Sequence, residues 1–82
     1  MVQVSREEFA GLLDSARRQQ HVSVRGAARI AGVPPATMQG WLSGRHFPTP
    51  SLRPRYLTLV SYLGLSEHLH PMIWIEPERL GA

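Results

Sequence analysis

The 82-residue chain contains no cysteine and no lysine, and it has no long run of apolar residues. The absence of cysteine excludes both a disulfide scaffold and a thiolate metal site, and it suits a reducing compartment. No stretch approaches the roughly 18 apolar residues that a membrane-spanning helix needs. The N-terminal stretch MVQVSREEF also lacks an apolar signal region. We therefore expect a cytoplasmic protein with no membrane segment.

Acidic residues are missing from the middle of the chain. None occurs between Asp14 and Glu67, whereas every basic residue of the protein is an arginine. A middle segment with positive charge only favours an anionic partner, most often nucleic acid. The alternative is a solvated basic surface in a protein from a genome rich in G and C. The arginines of this interval are Arg17, Arg18, Arg25, Arg29, Arg45, Arg53 and Arg55.

The length and apolar content predict one small helical domain. A chain of this size buries only about 60% of the surface that its unfolded state exposes, and compact helical packing is the simplest way to do so. The apolar fraction of 43% is typical of a globular domain. We expect an all-α fold, a compact bundle of four to five helices over residues 1–70. A short extended segment or tail follows over residues 71–82.

Capping signals predict where the first three helices begin and end. The stretch Ser5–Glu8 fits a capping box, and Ser23 can cap a second helix. Gly32 ends that helix because glycine takes the left-handed conformation readily. Pro35 suits the first position of a third helix, which Gly44 ends. We therefore predict helices over about residues 6–19, 24–31 and 35–43.

Proline limits the helices of the second half. The two prolines within residues 45–53 argue against a helix there. A fourth helix is predicted from about Pro54 to Leu63, and a short fifth turn from Glu67 to His70. Met72–Ile75 is apolar and β-prone. We expect it to form a strand, an extended segment on the bundle or the lead into an element outside this sequence. It either packs on the bundle or forms a partner or dimer contact.

The spacing of apolar and small residues over 24–44 is the strongest signal in the chain. Ala28 is small, which lets two helices cross closely, and Gly32 follows it by four residues to make a tight turn. Val33, Met38 and Trp41 then bury the inner side of the next helix. The outer side of that helix stays free, as in a helix-turn-helix.

These segments resemble the Cro/phage-repressor-like (Xre-type) helix-turn-helix domains over about residues 8–66. The resemblance rests on the pair VSVRGAARIAGV and PPATMQGWLSGR and on the closing helix LTLVSYLGL. The segment GWLSGRHFPTPSLR is further similar to N-terminal domains of actinobacterial regulators, some of them attached to large nucleotide-hydrolysing proteins. The resemblance implies a lambda-repressor-like bundle, a bacterial regulator, and a third helix that enters the major groove of double-stranded DNA.

The resemblance also implies which residues meet DNA. The early exposed positions of the third helix are expected to contact bases: Pro35, Ala36, Gln39 and Gly40. Phosphate contacts are expected from the start of the second helix, from the third helix and from the basic loop after it: Ser23, Arg25, Thr37, Arg45, His46, Arg53 and Arg55. Among the base-contacting positions, only the glutamine side chain addresses adenine bidentately, and the alanine methyl suits a thymine methyl.

Two positions depart from the family pattern. Val24 stands where the family often has a glutamine that helps to hold the backbone, and Pro34 replaces a polar cap. Sequence-specific reading by the third helix therefore looks sparse. We expect either that backbone contacts dominate or that loop arginines add to the reading.

The same residues leave other classes of function open. An adaptor for protein–protein interaction is the main alternative, because the third helix is apolar and Trp74 lies in an apolar run. A homodimer and a fused or partner regulatory protein are both compatible with the sequence. His68 and His70 have no third ligand near them in sequence, so no metal or other cofactor is expected. No paired acids, phosphate loop or nucleophile motif occurs, and we expect no enzymatic activity.

Overall fold

In the computed structural model, which describes residues 5–74, the chain folds into four α-helices. They are α1 (Arg6–Gln19), α2 (Val24–Ala31), α3 (Pro35–Ser43) and α4 (Arg53–Tyr62). Short 3-10 turns precede and follow α4, at Pro50–Leu52, Ser66–His68 and Pro71–Trp74. No strand occurs in this part of the chain. The prediction of an all-α fold is therefore confirmed.

The start of α1 is set by the capping box that the sequence predicts. The Ser5 hydroxyl accepts a hydrogen bond from the Glu8 backbone N–H at 3.1 Å, and the Ser5 N–H donates to Glu8 Oε1 at 3.0 Å. Each bond satisfies a backbone group that has no partner within the helix. The bonds from the Ser5 backbone and side chain lower the pKa of Glu8 below its usual value, because they favour the charged carboxylate.

The turn between α2 and α3 is short because Gly32 reverses the chain at once. Its φ of +72° lies in the left-handed region, and the following Val33 N–H donates to the Ala28 carbonyl at 3.0 Å. This pattern satisfies carbonyls at the end of α2. Pro35 then opens α3 at its first position, as predicted.

Small residues allow the helices to pack closely around one core. α3 packs on both α1 and α2, and α4 packs on α2. Ala28 on α2 is only 2% exposed, and Met38 and Trp41 on α3 are also buried. The predicted role of these three residues in the core is confirmed. The buried set is completed mainly by Phe9, Leu13, Ala27, Ala31, Leu42, Tyr56, Leu59, Val60, Leu63 and Ile73.

Two predicted segments differ from the structure. Pro50–Leu52 forms a 3-10 turn that leads directly into α4, because proline is tolerated in the first turn of a helix. The prediction of a strand or extended segment for residues 72–75 is wrong over 72–74, because residues 71–74 form a 3-10 turn that buries Ile73. The packed unit thus continues to Trp74, and residue 75 lies outside the described residues. None of the helices described here is long and apolar enough to cross a membrane.

Candidate nucleic-acid interface

One side of α3 is open to solvent because its other side forms the core. Met38, Trp41 and Leu42 face inward. Pro35, Ala36 and Gln39, three of the four positions expected to contact bases, are exposed, and so is Ser43. The exposed positions recur at intervals of three and four residues, so they lie along one side of the helix. We call this side the open face of α3.

Gly40, the fourth expected base contact, is buried instead. The His46 side chain lies over it: a Cβ built on Gly40 would collide with Cδ2 of the imidazole and would lie 3.1 Å from its Cγ. The His46 N–H also donates to the Gly40 carbonyl at 3.1 Å. We therefore no longer assign a base contact to Gly40, because the exposed group at this position is His46.

Three arginines beside the open face have guanidinium groups without a partner among residues 5–74. Arg25, Arg29 and Arg45 are exposed, and the guanidinium group of each makes no hydrogen bond or ion pair with another residue between 5 and 74. Arg25 and Arg29 are one turn apart on α2 and line a groove with Val33 and Pro35. Arg29 was not among the predicted contacts, although its spacing of four residues from Arg25 was a usable signal.

Two further predicted phosphate contacts, Ser23 and Thr37, differ in their exposure to solvent. The Ser23 hydroxyl accepts from the Gly26 N–H at 2.9 Å and so caps α2. A hydroxyl that accepts one bond can still donate its own proton, so Ser23 remains able to contact an anion. Thr37 is half-buried in the first turn of α3.

The predicted contacts on α4 have partners within the protein. Arg53 has its guanidinium 4.9 Å from the centre of the Trp74 ring, and its Nη2 donates to the Trp74 carbonyl at 3.3 Å. Its Nε is buried without a described partner, so we no longer assign it a phosphate contact. Arg55 is exposed, but its Nη1 donates to the Gly32 carbonyl at 3.2 Å. It therefore holds the turn before α3.

The acidic groups near the open face are few and partly neutralised. Asp14 lines a shallow groove together with Gln39 and lies within 2.7 Å of Arg17 Nη2 and 3.0 Å of Arg18 Nε. One carboxylate shared by two guanidinium groups leaves a net positive charge. A second acidic residue, Glu7, lines a separate hollow together with Arg45.

Aromatic side chains pack together around Tyr56, next to the hollow that Arg45 and His46 line. Its ring lies 5.4 Å from that of Phe47 and 6.1 Å from that of Trp74, between ring centres. The Arg6 guanidinium stacks 4.1 Å from the Phe47 ring centre. We call these residues, together with Arg53, the aromatic end. Phe47 thereby anchors the loop after α3 on the bundle. Trp74, which motivated the adaptor alternative, packs inward here.

Comparison of the chain with protein-family models, with curated proteins and with solved structures found no significant match. Residues 5–74 hold no group of three histidine or acidic side chains arranged to bind a metal ion. The candidate site therefore rests on the geometry of α2, α3 and the loop after α3.

Proposed function

We propose that this protein binds double-stranded DNA through α2, α3 and the loop after α3. It would act as a helix-turn-helix transcriptional regulator of the Cro/phage-repressor-like type, or as the DNA-targeting module of a larger regulator. The observation that carries the proposal is the set of arginines beside the open face of α3 whose guanidinium groups have no partner in the described part of the chain: Arg25, Arg29 and Arg45.

The arginines supply the affinity in this proposal. DNA carries about one phosphate charge per 1.7 Å of helix axis, and each cation that neutralises a phosphate releases a counterion. A guanidinium without an internal partner gives up no protein contact when it binds a phosphate. Within residues 5–74, Arg25, Arg29 and Arg45 meet this condition, whereas Arg53 does not.

The open face supplies a limited ability to read sequence. Gln39 is exposed and has both a donor and an acceptor, which match the N6 and N7 groups of adenine. Ala36 is exposed one turn earlier and offers a methyl group to a thymine methyl. Pro35 offers apolar contact only. We therefore expect a moderate sequence preference, with much of the binding free energy coming from phosphates.

Low-salt binding to mixed genomic DNA tests the proposal. The duplex is labelled and titrated with the full chain, and fluorescence anisotropy reports the complex. We expect saturable binding that weakens as salt is added. The adaptor alternative predicts no binding at any salt concentration, and that result would overturn the proposal.

A selected site then tests the role of Gln39. Sequences are selected from a random pool, and the wild type is compared with Gln39→Ala on the preferred site and on a scrambled duplex. The variant should lose about 1–3 kcal/mol on the preferred site and little on the scrambled one. An unchanged preference would contradict the assignment of Gln39 to base reading.

A further inference from the structure

The loop after α3 places the imidazole of His46 against Gly40, a position of α3 that has no side chain of its own. Gly40 follows Ala36 by one helical turn, so it belongs to the same row of the helix surface. His46 fills that position: its Cβ and Cγ would lie 3.3 and 3.1 Å from a Cβ on Gly40. The His46 side chain is nevertheless exposed.

Glycine at position 40 lowers the stability of the helix, and the packing of the imidazole explains why a glycine is nevertheless present. Glycine inside a helix destabilises it by roughly 0.5–1 kcal/mol relative to alanine. Any larger residue at position 40 would displace His46, because its Cβ would collide with Cδ2 of the ring. The Gly40 carbonyl also accepts the His46 backbone N–H and the Ser43 hydroxyl, at 3.1 and 3.2 Å, which holds the loop against α3.

The ring nitrogens of His46 are available to a ligand. Of the ring atoms, Cδ2 and Cγ lie nearest to a Cβ built on Gly40, so the edge that carries Nδ1 faces away from that position. Neither ring nitrogen has a hydrogen-bond partner among residues 5–74. An imidazole always carries at least one N–H donor. The strongest acceptors that purines present in the major groove are N7 and, in guanine, O6.

We infer that His46 reads a purine by donating a ring N–H to its N7 atom, with Gly40 as the positioning residue that makes room for the ring. This inference rests on the proposed DNA binding. It moves the base contact first expected of Gly40 to a side chain six residues later, and it changes His46 from a phosphate contact to a specificity-determining residue.

Site-specific removal of N7 tests the inference on the selected duplex. Each purine in turn is replaced by its 7-deaza analogue, which has C–H in place of N7 and keeps Watson–Crick pairing. At one purine we expect a loss of about tenfold in affinity for the wild type. His46→Ala should lose a similar factor on the natural duplex and no more on the 7-deaza duplex. His68→Ala, at an exposed histidine in the turn after α4, is the matched control and should behave as the wild type.

Gly40→Ala tests the positioning role independently of DNA. The alanine favours the helix, so the variant should stay folded, and NMR signals of the His46 ring in the free protein should shift as the ring is displaced. Its affinity should fall to about that of His46→Ala. Unmoved ring signals with unchanged affinity would refute the role of Gly40.

The outcomes separate this inference from the proposed function. If the wild type binds DNA but the 7-deaza losses persist unchanged in His46→Ala, His46 reads no N7 and the inference fails alone. It also fails if His46→Ala weakens every duplex equally, since that is the behaviour of a phosphate contact. If the wild type binds no duplex at low salt, the proposed function and the inference fall together.

Discussion

The aromatic end and the open face of α3 use the same residue type in opposite ways. At the aromatic end, Arg6 and Arg53 stack on the rings of Phe47 and Trp74 and donate to the carbonyls of Ile73 and Trp74. Beside the open face, arginines such as Arg25 are exposed and have no described partner. This contrast shows that the number of arginines alone does not indicate how many guanidinium groups are available for binding. That number depends on which guanidinium groups already stack on aromatic rings or donate hydrogen bonds within the fold.

The difference follows from where each arginine falls in sequence relative to aromatic residues and carbonyls without partners. Arg6 is in the first turn of α1 and lies against the 71–74 turn, whose Ile73 carbonyl accepts from its Nε at 2.9 Å. No aromatic ring is recorded against the arginines of α2 in residues 5–74. The first group therefore contributes to stability, whereas the guanidinium groups of the second remain exposed.

The largest expected effect is on the centre of the aromatic end. Tyr56 is 1% exposed and contacts the rings of Phe9, Trp41, Phe47 and Trp74. Tyr56→Ala should cost about 3–5 kcal/mol, the usual range for deleting a buried aromatic ring. Tyr62→Ala, at a 57% exposed tyrosine of the same helix, should change the unfolding free energy by less than about 0.5 kcal/mol. Urea unfolding followed by circular dichroism measures both, and equal losses would contradict this description of the core.

A pair of arginine variants sharpens the comparison most. Arg6→Gln should lower the unfolding free energy by about 1–2 kcal/mol, because it removes a stacked cation and a hydrogen bond. It should leave DNA affinity nearly unchanged. Arg25→Gln should show the reverse: stability within about 0.5 kcal/mol of the wild type and weaker DNA binding. Urea unfolding and anisotropy on the same preparations check this crossed pattern. The comparison breaks down if both variants lose stability and affinity together.

The pH dependence of stability probes the burial of Tyr56. Burial raises the pKa of Tyr56 well above its usual value, and the nearby positive charge of Arg6 only partly opposes this. The folded state therefore keeps the phenol proton above pH 10, where the unfolded chain loses it. The unfolding free energy should fall by up to about 1.4 kcal/mol per pH unit above about pH 10. Tyr56→Phe should reduce this slope, whereas Tyr62→Phe should keep it. A slope that is the same in all three proteins would show that Tyr56 is not the group responsible.

The smallest expected effect lies at the end of α1, outside both regions. His21 has a φ of +59°, a left-handed conformation that costs a residue with a Cβ roughly 1 kcal/mol. His21→Gly should therefore stabilise the protein by about 1 kcal/mol, and His21→Ala should bring no such gain. DNA affinity should not change with His21→Gly. Thermal unfolding checks the stability, and a loss on introducing glycine would contradict the backbone assignment.

The helices and their ends could be predicted from the sequence because local signals determine them. The capping box at Ser5, the left-handed turn at Gly32 and the first helical position at Pro35 each involve residues within a few positions of one another. The spacing of Met38 and Trp41 likewise placed the buried side of α3. The turn over 71–74 was missed because it depends on Arg6, which is far away in the chain.

The candidate site was only partly predictable for the same reason. Exposure of Ala36 and Gln39 follows from helical spacing, and so could be foreseen. The packing of His46 over Gly40 depends on the path of the loop, and the stacking of Arg53 on Trp74 joins residues 21 positions apart. Nothing in the local sequence distinguishes this arginine from a free one. Side-chain partners distant in sequence therefore decide which predicted contacts are available to a ligand.

The salt dependence of DNA binding tests the central claim most directly. If three to five phosphates are neutralised, the logarithm of the association constant should fall with the logarithm of salt concentration with a slope of about −3 to −4.5. Arg25→Gln/Arg29→Gln/Arg45→Gln should make the slope shallower by about 2.7. Ser61→Glu, which lowers the net charge at an exposed position of α4, should keep the wild-type slope. A triple variant with the slope and affinity of the wild type would contradict the assignment of these arginines to the DNA interface.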